Sequence, residues 1–298
     1  MKILITGYLG FIGNACTGFF SENNETSGVD LVRDEFKTNL PHSDFENTRK
    51  LISENKFDVI INCAGSSNIA KSFEDPETDF EMNTGYVQKI LAAIKELSPA
   101  TKFINLSSAA VYGNPNILPI HETTPASPLS PYGAHKLLSE QIITHYAEFF
   151  KLKALSVRIF SAYGPGLKRQ FFYDLYTKFR SGNNLVELSG TGTESRDFIF
   201  ISDIVHAVEV LIEKAAFNGE IYNLASQQES FIKPTAKLFS EICGYSGEIK
   251  FTQHQFEGYP LNWKADVAKL KALGFTPKIT LEEGLKQYYN WLNNNTQP

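Results

Sequence analysis

Cysteine is scarce: three in 298 residues, Cys16, Cys63 and Cys243, widely separated and with no C-x-x-C. An odd, scattered set excludes a disulfide framework and predicts reduced, semi-buried thiols, as in a cytoplasmic protein. Positive charge is short as well, 28 Lys and Arg against 33 Asp and Glu for a formal net charge of −5. With no polybasic stretch, no nucleic-acid partner is expected. No apolar run approaches the length of a membrane span. No grouping of His, Cys and carboxylates has metal-ligand spacing, so no metal is expected. Repeats, low-complexity tracts and linkers are missing too. The first residues already read as strand and glycine turn, so no signal peptide is expected. A soluble, cytoplasmic chain is expected, and it is long enough to bury a large core.

The chain opens MKILITGYLGFIGNACTGFF. The apolar run Ile3 to Ile5 leads into Gly7, Gly10 and Gly13, after which the pattern turns helical. Gly7 permits a tight turn, Gly10 lets a phosphate approach the backbone, and Gly13 allows close packing of helix on strand. The N–H groups at such a helix start favour a pyrophosphate. Asp30 closes the next strand-like stretch, TSGVD. A carboxylate there can accept hydrogen bonds from both ribose hydroxyls and repels a 2′-phosphate, which favours NAD over NADP. Arg33, three residues on, leaves NADP open.

Strand-like runs recur at Lys2–Thr6, Gly28–Leu31, Asp58–Cys63, Lys102–Leu106 and Ala154–Ile159, with helical patterns between them. This alternation predicts an α/β fold with a doubly wound, Rossmann-type parallel sheet. Helices are predicted within residues 43–56, over Asn83–Leu97 and over Tyr132–Phe150. Beyond Gly164 turn-rich pieces separate shorter elements, as in a smaller lobe. The predicted organisation is a dinucleotide-binding domain over residues 1–163, with 197–224 returning to it. Residues 164–298 form mainly an interleaved C-terminal substrate-binding lobe. Ser202 is the predicted N-cap of a returning helix, and Thr280 with Glu283 forms a capping-box pattern before the last one.

The segment LSPYGAHK places Tyr132 and Lys136 four residues apart, one turn on one helix face. An adjacent ammonium stabilises a phenolate, so Lys136 is expected to lower the ionisation of Tyr132 and make it a general base for carbinol chemistry.

Taken with these residues, the chain resembles the NAD-dependent epimerase/dehydratase family of extended short-chain dehydrogenases/reductases, which act on nucleotide sugars. TGYLGFIG matches its T-G-x-x-G-x-x-G, which implies cofactor contacts at Gly7, Gly10, Phe11, Ile12 and Gly13. Asp44-Phe45 resembles the acidic-apolar stretch after the third strand that flanks the adenine. NCAG, with Ala64, stands where the family usually carries H-x-A-A or H-x-A-G, so Asn62 replaces a histidine. Pro76 and Asn83 show the P-x6-N spacing. NLSSAAVYG implies Ser108 as the catalytic serine, and SPYGAHK implies the catalytic Tyr132 and Lys136, which also touch the cofactor. RIFSAYGPG resembles R-x-F-N-x-Y-G-P with Ser161 in place of asparagine, a substrate contact. RDFIFISDI resembles R-D-F-x-H-V-x-D, whose arginine, here Arg196, holds the substrate pyrophosphate.

The resemblance implies hydride transfer between a sugar carbon and NAD, with Tyr132 moving the hydroxyl proton, Ser108 orienting the same oxygen and Lys136 holding the nicotinamide ribose. The 4,6-dehydratases of the family carry Asp-Glu after the serine; here Ala109 and Ala110 stand there, which disfavours elimination of water. A C4 epimerase that retains NAD is the leading expectation. A NAD(P)H-dependent 4-ketoreductase stays open, and a sensor or scaffold that only binds the dinucleotide is the rival from another class. The implied partners are a nucleotide-diphosphate sugar and a second copy of the chain, packed through the Asn83 and Tyr132 helices. Lys168 and Arg169 are either a positive edge near a diphosphate or a solvated turn. His121 and His135 are read as bystanders, Asn223 as a turn organiser, and the rings from Phe171 to Phe179 as lobe core.

Overall fold

The computed structural model describes residues 1–30, 44–254, 258 and 260–295. The chain runs β1 (Lys2–Thr6), α1 (Phe11–Ser21), β2 (Glu25–Val29), α2 (Asp44–Glu54) and β3 (Val59–Asn62). Two short helices, α3 (Ile69–Glu74) and α4 (Pro76–Phe80), and a π-helical turn, Glu81–Gly85, precede α5 (Tyr86–Leu97) and β4 (Lys102–Ser108). After a 3-10 turn at Ala109–Tyr112 come α6 (Pro131–Phe150), β5 (Ala154–Ile159), β6 (Ser161–Tyr163), α7 (Gln170–Arg180), β7 (Leu185–Leu188) and β8 (Ser195–Phe200). The remainder is α8 (Ile201–Lys214), β9 (Asn218–Leu224), β10 (Glu229–Phe231), α9 (Ile232–Cys243), β11 (Glu248–Phe251), α10 (Ala268–Ala272) and α11 (Leu281–Asn295).

Six of these strands form one parallel sheet in the order β2-β1-β3-β4-β5-β9. Its first inner strands, β1 and β3, are runs of Ile, Leu and Val because both faces are covered, while β4 and β5 also carry the buried polar residues Asn105, Ser156 and Arg158. Side chains alternate between two cores. Ile3, Ile5, Ile61, Ile104 and Val157 face α1 and α8, while Leu4, Ile60 and Phe103 face α5. The order reverses between β1 and β3, and in open α/β sheets a ligand crevice lies outside the strand ends at such a reversal. A three-stranded sheet, β10-β8-β6, and a two-stranded one, β11-β7, make the lobe side. Its interior is aromatic: Tyr163 has its ring 5.3 Å from Phe172 and 5.4 Å from Phe200, and Phe172 lies 5.4 Å from Phe239.

Several local expectations shift. The second strand begins earlier, at Glu25, and Leu31 lies outside the described residues. Asn83 sits inside the π-helical turn, and the regular helix starts only at Tyr86. Ser202 does not cap α8; Phe200 holds that position without a side-chain bond, and Ser202 is the second helical residue. β8, which carries Asp197, pairs with β6 and β10, while β9 pairs with β5 in the main sheet. Asp44-Phe45 opens α2, the stretch before it lies outside the described residues, and Phe45 packs against the apolar cluster that includes Ile52. The capping box is present: Thr280 Oγ1 accepts from the Glu283 N–H at 3.3 Å, and Glu283 Oε2 accepts from the Thr280 N–H at 3.1 Å. No helix among the described residues is long and apolar enough to cross a membrane.

Candidate active site

The glycine turn is built for backbone approach. A Cβ on Gly13 would fall 2.0 Å from the Gly7 carbonyl oxygen, and one on Gly7, at φ +70°, 2.6 Å from the Ala64 nitrogen. α1 therefore packs directly on the glycine turn, and the turn on the chain that leaves β3. Gly10 occupies its N-cap and has no side chain to bond the first N–H groups of the helix, at Phe11, Ile12 and Gly13. Asp30 Oδ2 accepts from the Leu9 N–H at 2.9 Å, which ties the acidic residue to the loop. Arg33 lies outside the described residues, and so does the side chain of Asp44. Next to the turn, the Cys16 and Cys63 thiols are hydrogen bonded, and that bond together with burial pushes Cys63 well up. All three cysteines are free.

Across the crevice, Asn83 donates from Nδ2 to the Asp79 carbonyl at 3.1 Å, while its buried Oδ1 has no hydrogen-bond partner. Gly65 marks the space this oxygen faces: a Cβ there would lie 2.6 Å from Asn83 Oδ1 and 3.2 Å from Lys136 Nζ. A glycine cradle, an uncapped helix start and a buried acceptor aimed between Gly65 and Lys136 fit a dinucleotide. Gly7, Gly10, Phe11, Ile12, Gly13, Asp30, Ala64 and Asn83 are thus gathered at one sheet end.

The sequence places Ser130 and Pro131 at the start of α6 for a local reason. Ser130 Oγ accepts from the Gly133 N–H at 3.2 Å, and Pro131 needs no intrahelical donor at its position. Tyr132 and Lys136 then follow on one face, both buried. Ser108 ends β4, and its Oγ accepts from the Ala110 N–H at 3.1 Å, so it caps the 3-10 turn. It is also hydrogen bonded to the Tyr132 phenol. The three residues come together at the crevice.

The electrostatics differ from the expectation that Lys136 lowers Tyr132. Burial dominates and raises the phenol, Ser108 pulls it down, Asp79 adds to the rise, and Arg169 lowers it. The Lys136 ammonium is directed to the Leu106 carbonyl, to which Nζ donates at 3.1 Å. Burial pushes Lys136 down to about 8 against the upward pull of Asp79, Glu140 and Cys63. At neutral pH the resting pair is therefore a neutral phenol beside a lysine that still carries most of its charge.

A second set of residues includes His135, read from the sequence as a bystander, and Glu140 with Arg158, which the sequence reading did not single out. His135 Nδ1 and Asp79 Oδ2 are 2.7 Å apart, so this histidine has a partner one residue from Lys136. Glu140, one further turn along α6, takes Arg158 in a buried pair at 2.6 Å, and Ser107 donates to it at 2.5 Å. The Arg158 guanidinium lies 4.6 Å from the Tyr112 ring centroid. The signal for Glu140 was available, since it repeats the four-residue step of Tyr132 and Lys136. Asn223 spans elements rather than a turn, accepting from Tyr112 at 2.6 Å and donating to the Ile120 carbonyl at 2.9 Å. His121 is exposed, 3.6 Å from Asp266. Ser161 lies on β6 and Arg196 on β8, both on the lobe side; Arg196 donates to the Ser195 and Leu261 carbonyls and its guanidinium is 5.6 Å from the Trp263 ring centroid. No group of three or more possible metal ligands occurs among the described residues.

With this geometry in hand, comparison places the chain among known proteins. The model of the NAD dependent epimerase/dehydratase family matches residues 3–225. The low-salt glycan biosynthesis protein Agl12 of Haloferax volcanii is 28% identical, covering 96% of each chain. The UDP-glucuronate 4-epimerase of Thermodesulfobacterium geofontis is 24% identical, over 99% of this chain and 97% of its own. The crystal structure of UDP-glucuronic acid 4-epimerase from Bacillus cereus, in complex with UDP-glucuronic acid and NAD, superposes with a TM-score of 0.88 at 26% identity, covering 99% of both chains.

Proposed function

The chain belongs to the NAD dependent epimerase/dehydratase family, and from that premise we propose that it is an NAD-dependent epimerase acting at C4 of a nucleotide-diphosphate sugar. The observation that carries the reading is the buried Tyr132 phenol, hydrogen bonded to Ser108, with Lys136 one turn away and only alanines following the serine. NAD, when bound, supplies a reversible hydride acceptor. Tyr132 takes the proton from the C4 hydroxyl and later returns it to the keto oxygen. Ser108 orients that oxygen and, by its bond to the phenol, eases loss of the proton. Lys136 and Asn83 face the same space beside Gly65 and are placed to hold the ribose. Ala109 and Ala110 can move no proton, so the 4-keto sugar loses no water and returns by reduction alone.

The adenosine side falls to the glycine turn and Asp30, and the sugar side to residues 164–298, with Ser161 and Arg196 as contacts. UDP-sugars are the substrate class, since two of the relatives of matching length are named for UDP-glucuronate. A pair of copies joined through α5 and α6 fits the apolar side chains that α6 leaves exposed at Leu138, Phe149 and Phe150; light scattering on the purified chain tests it. The activity is tested by incubating the protein with UDP-glucuronate, UDP-glucose or UDP-N-acetylglucosamine without added cofactor, following the C4 epimer by NMR. Mass spectrometry of the denatured protein identifies any dinucleotide. Epimer formation with stoichiometric NAD is expected. Turnover only with added NADPH, and a single reduced product, would replace the reading with a 4-ketoreductase.

A further inference from the structure

Lys136 is held at both ends by neighbouring residues of one strand. Its ammonium donates to the Leu106 carbonyl at 3.1 Å. Its own carbonyl accepts from Ser139 Oγ at 2.7 Å, and Ser139 Oγ lies 3.4 Å from Asn105 Nδ2. Asn105 continues the line: Asn62 Nδ2 donates to its Oδ1 at 2.8 Å, and Thr6 Oγ1 donates to Asn62 Oδ1 at 2.5 Å. Thr6, Asn62 and Asn105 stand side by side in the register of β1, β3 and β4. All four polar residues are buried, none more than 1% exposed.

The polarity of this line is set from one end. A carbonyl only accepts, so Ser139 must donate to Lys136 and can only accept from Asn105. Asn105 must then turn its amide NH2 to Ser139 and its oxygen to Asn62. Asn62 must in turn offer its NH2 to Asn105 and its oxygen to Thr6. Each residue has one role, and a buried amide that loses its partner costs the full desolvation of that group, so the line resists sliding of α6 along β4. Thr6 adjoins Gly7, so the line runs from the glycine turn to the turn of α6 that carries Tyr132 and Lys136.

We propose that Asn62, Asn105 and Ser139 are positioning residues, an amide line that sets the depth of Lys136 against β4 and against the glycine turn. The proposal gives a purpose to Asn62, buried between Thr6 and Asn105. It rests on the reading above only in assigning Lys136 to the dinucleotide.

The test titrates Lys136 in protein carrying 13C at the lysine ε-carbon, with Lys136→Met identifying the signal. Ser139→Ala and Asn105→Leu each open the line, and Ser139→Thr keeps the hydroxyl. Asp79 from α4, Glu140 from α6 and Cys63 beyond β3 face the same ammonium and are unchanged in all three. With the line open, the side chain is freed toward water and its titration moves up toward the ordinary lysine value; the threonine variant titrates as the parent does. NAD affinity, by calorimetry, falls about tenfold in the alanine variant and is kept in the threonine variant. An unmoved titration in Ser139→Ala and Asn105→Leu, or a threonine variant that behaves like alanine, overturns the positioning role. Lys136→Met binding NAD as tightly as the parent would instead overturn the assignment of Lys136 to the dinucleotide, while the titration still decides the line.

Discussion

The two sides of the crevice bury different chemistry. On the sheet side, around α6, the interior holds Lys136, Glu140, Arg158, Asn62 and Asn105, none more than 5% exposed and each hydrogen bonded. On the lobe side it holds rings: Tyr163, Phe172, Phe198, Phe200 and Phe239. Hydrogen bonds and ion pairs are directional and fix where an atom sits, whereas apolar packing fills volume and tolerates small rearrangements. The side that must place a proton donor near a cofactor is therefore the polar one. The other shapes a wall.

The contrast can be broken at its strongest point by Tyr132→Phe, which keeps the ring and removes the proton. Turnover is expected to fall by about 10³-fold or more while bound NAD is retained, read by epimer formation and by mass spectrometry. Unchanged turnover with NAD bound would support the sensor reading instead. Next is Glu140→Ala, which leaves Arg158 charged and unpaired in the interior at a cost of about 3–5 kcal/mol in urea unfolding. Joint replacement by Glu140→Leu and Arg158→Met is expected to recover most of that stability. On the ring side, Phe172→Ala is expected to cost about 3 kcal/mol or more. There the loss should appear in stability with NAD affinity kept, which separates the two sides.

Smaller effects sharpen the same comparison. Lys136 titrates near 8 in the fold against an ordinary 10.5. Between those values the unfolded chain binds more protons, so stability from this group rises with pH. The cost of the buried ammonium is fully present below the lower value and fades toward the upper one. Urea unfolding across that window should show the slope in the parent and lose it in Lys136→Met. Ser130→Ala removes the cap of α6, for about 1 kcal/mol.

Much of this was legible in the sequence because it rests on local rules. The three glycines, Asp30, and the four-residue step from Tyr132 to Lys136 each need only neighbours in the chain, and the capping box at Thr280 and Glu283 closes within one turn. The misreadings come where a distant partner overrides a local preference. Ser202 is a good cap by type, but α8 takes its cap two residues earlier, at Phe200, because β8 delivers the chain straight into it. Asn83 reads as ordinary helix, yet lies in a π-helical turn that leaves its Oδ1 facing Gly65 and Lys136. The proximity of Lys136 to Tyr132 predicted a lowered phenol; burial and Asp79, 53 residues upstream in sequence from the tyrosine, raise it instead.

By itself the sequence determined the alternation of strands and helices, the glycine turn and the spacing of tyrosine and lysine, because periodicity and backbone freedom are properties of short segments. Only the tertiary structure decided that Asn62 joins Thr6 to Asn105, that Glu140 takes Arg158, and that Lys136 is buried to a titration near 8. Those outcomes depend on which strands become neighbours and how much water they exclude, and no window of a few residues contains either quantity.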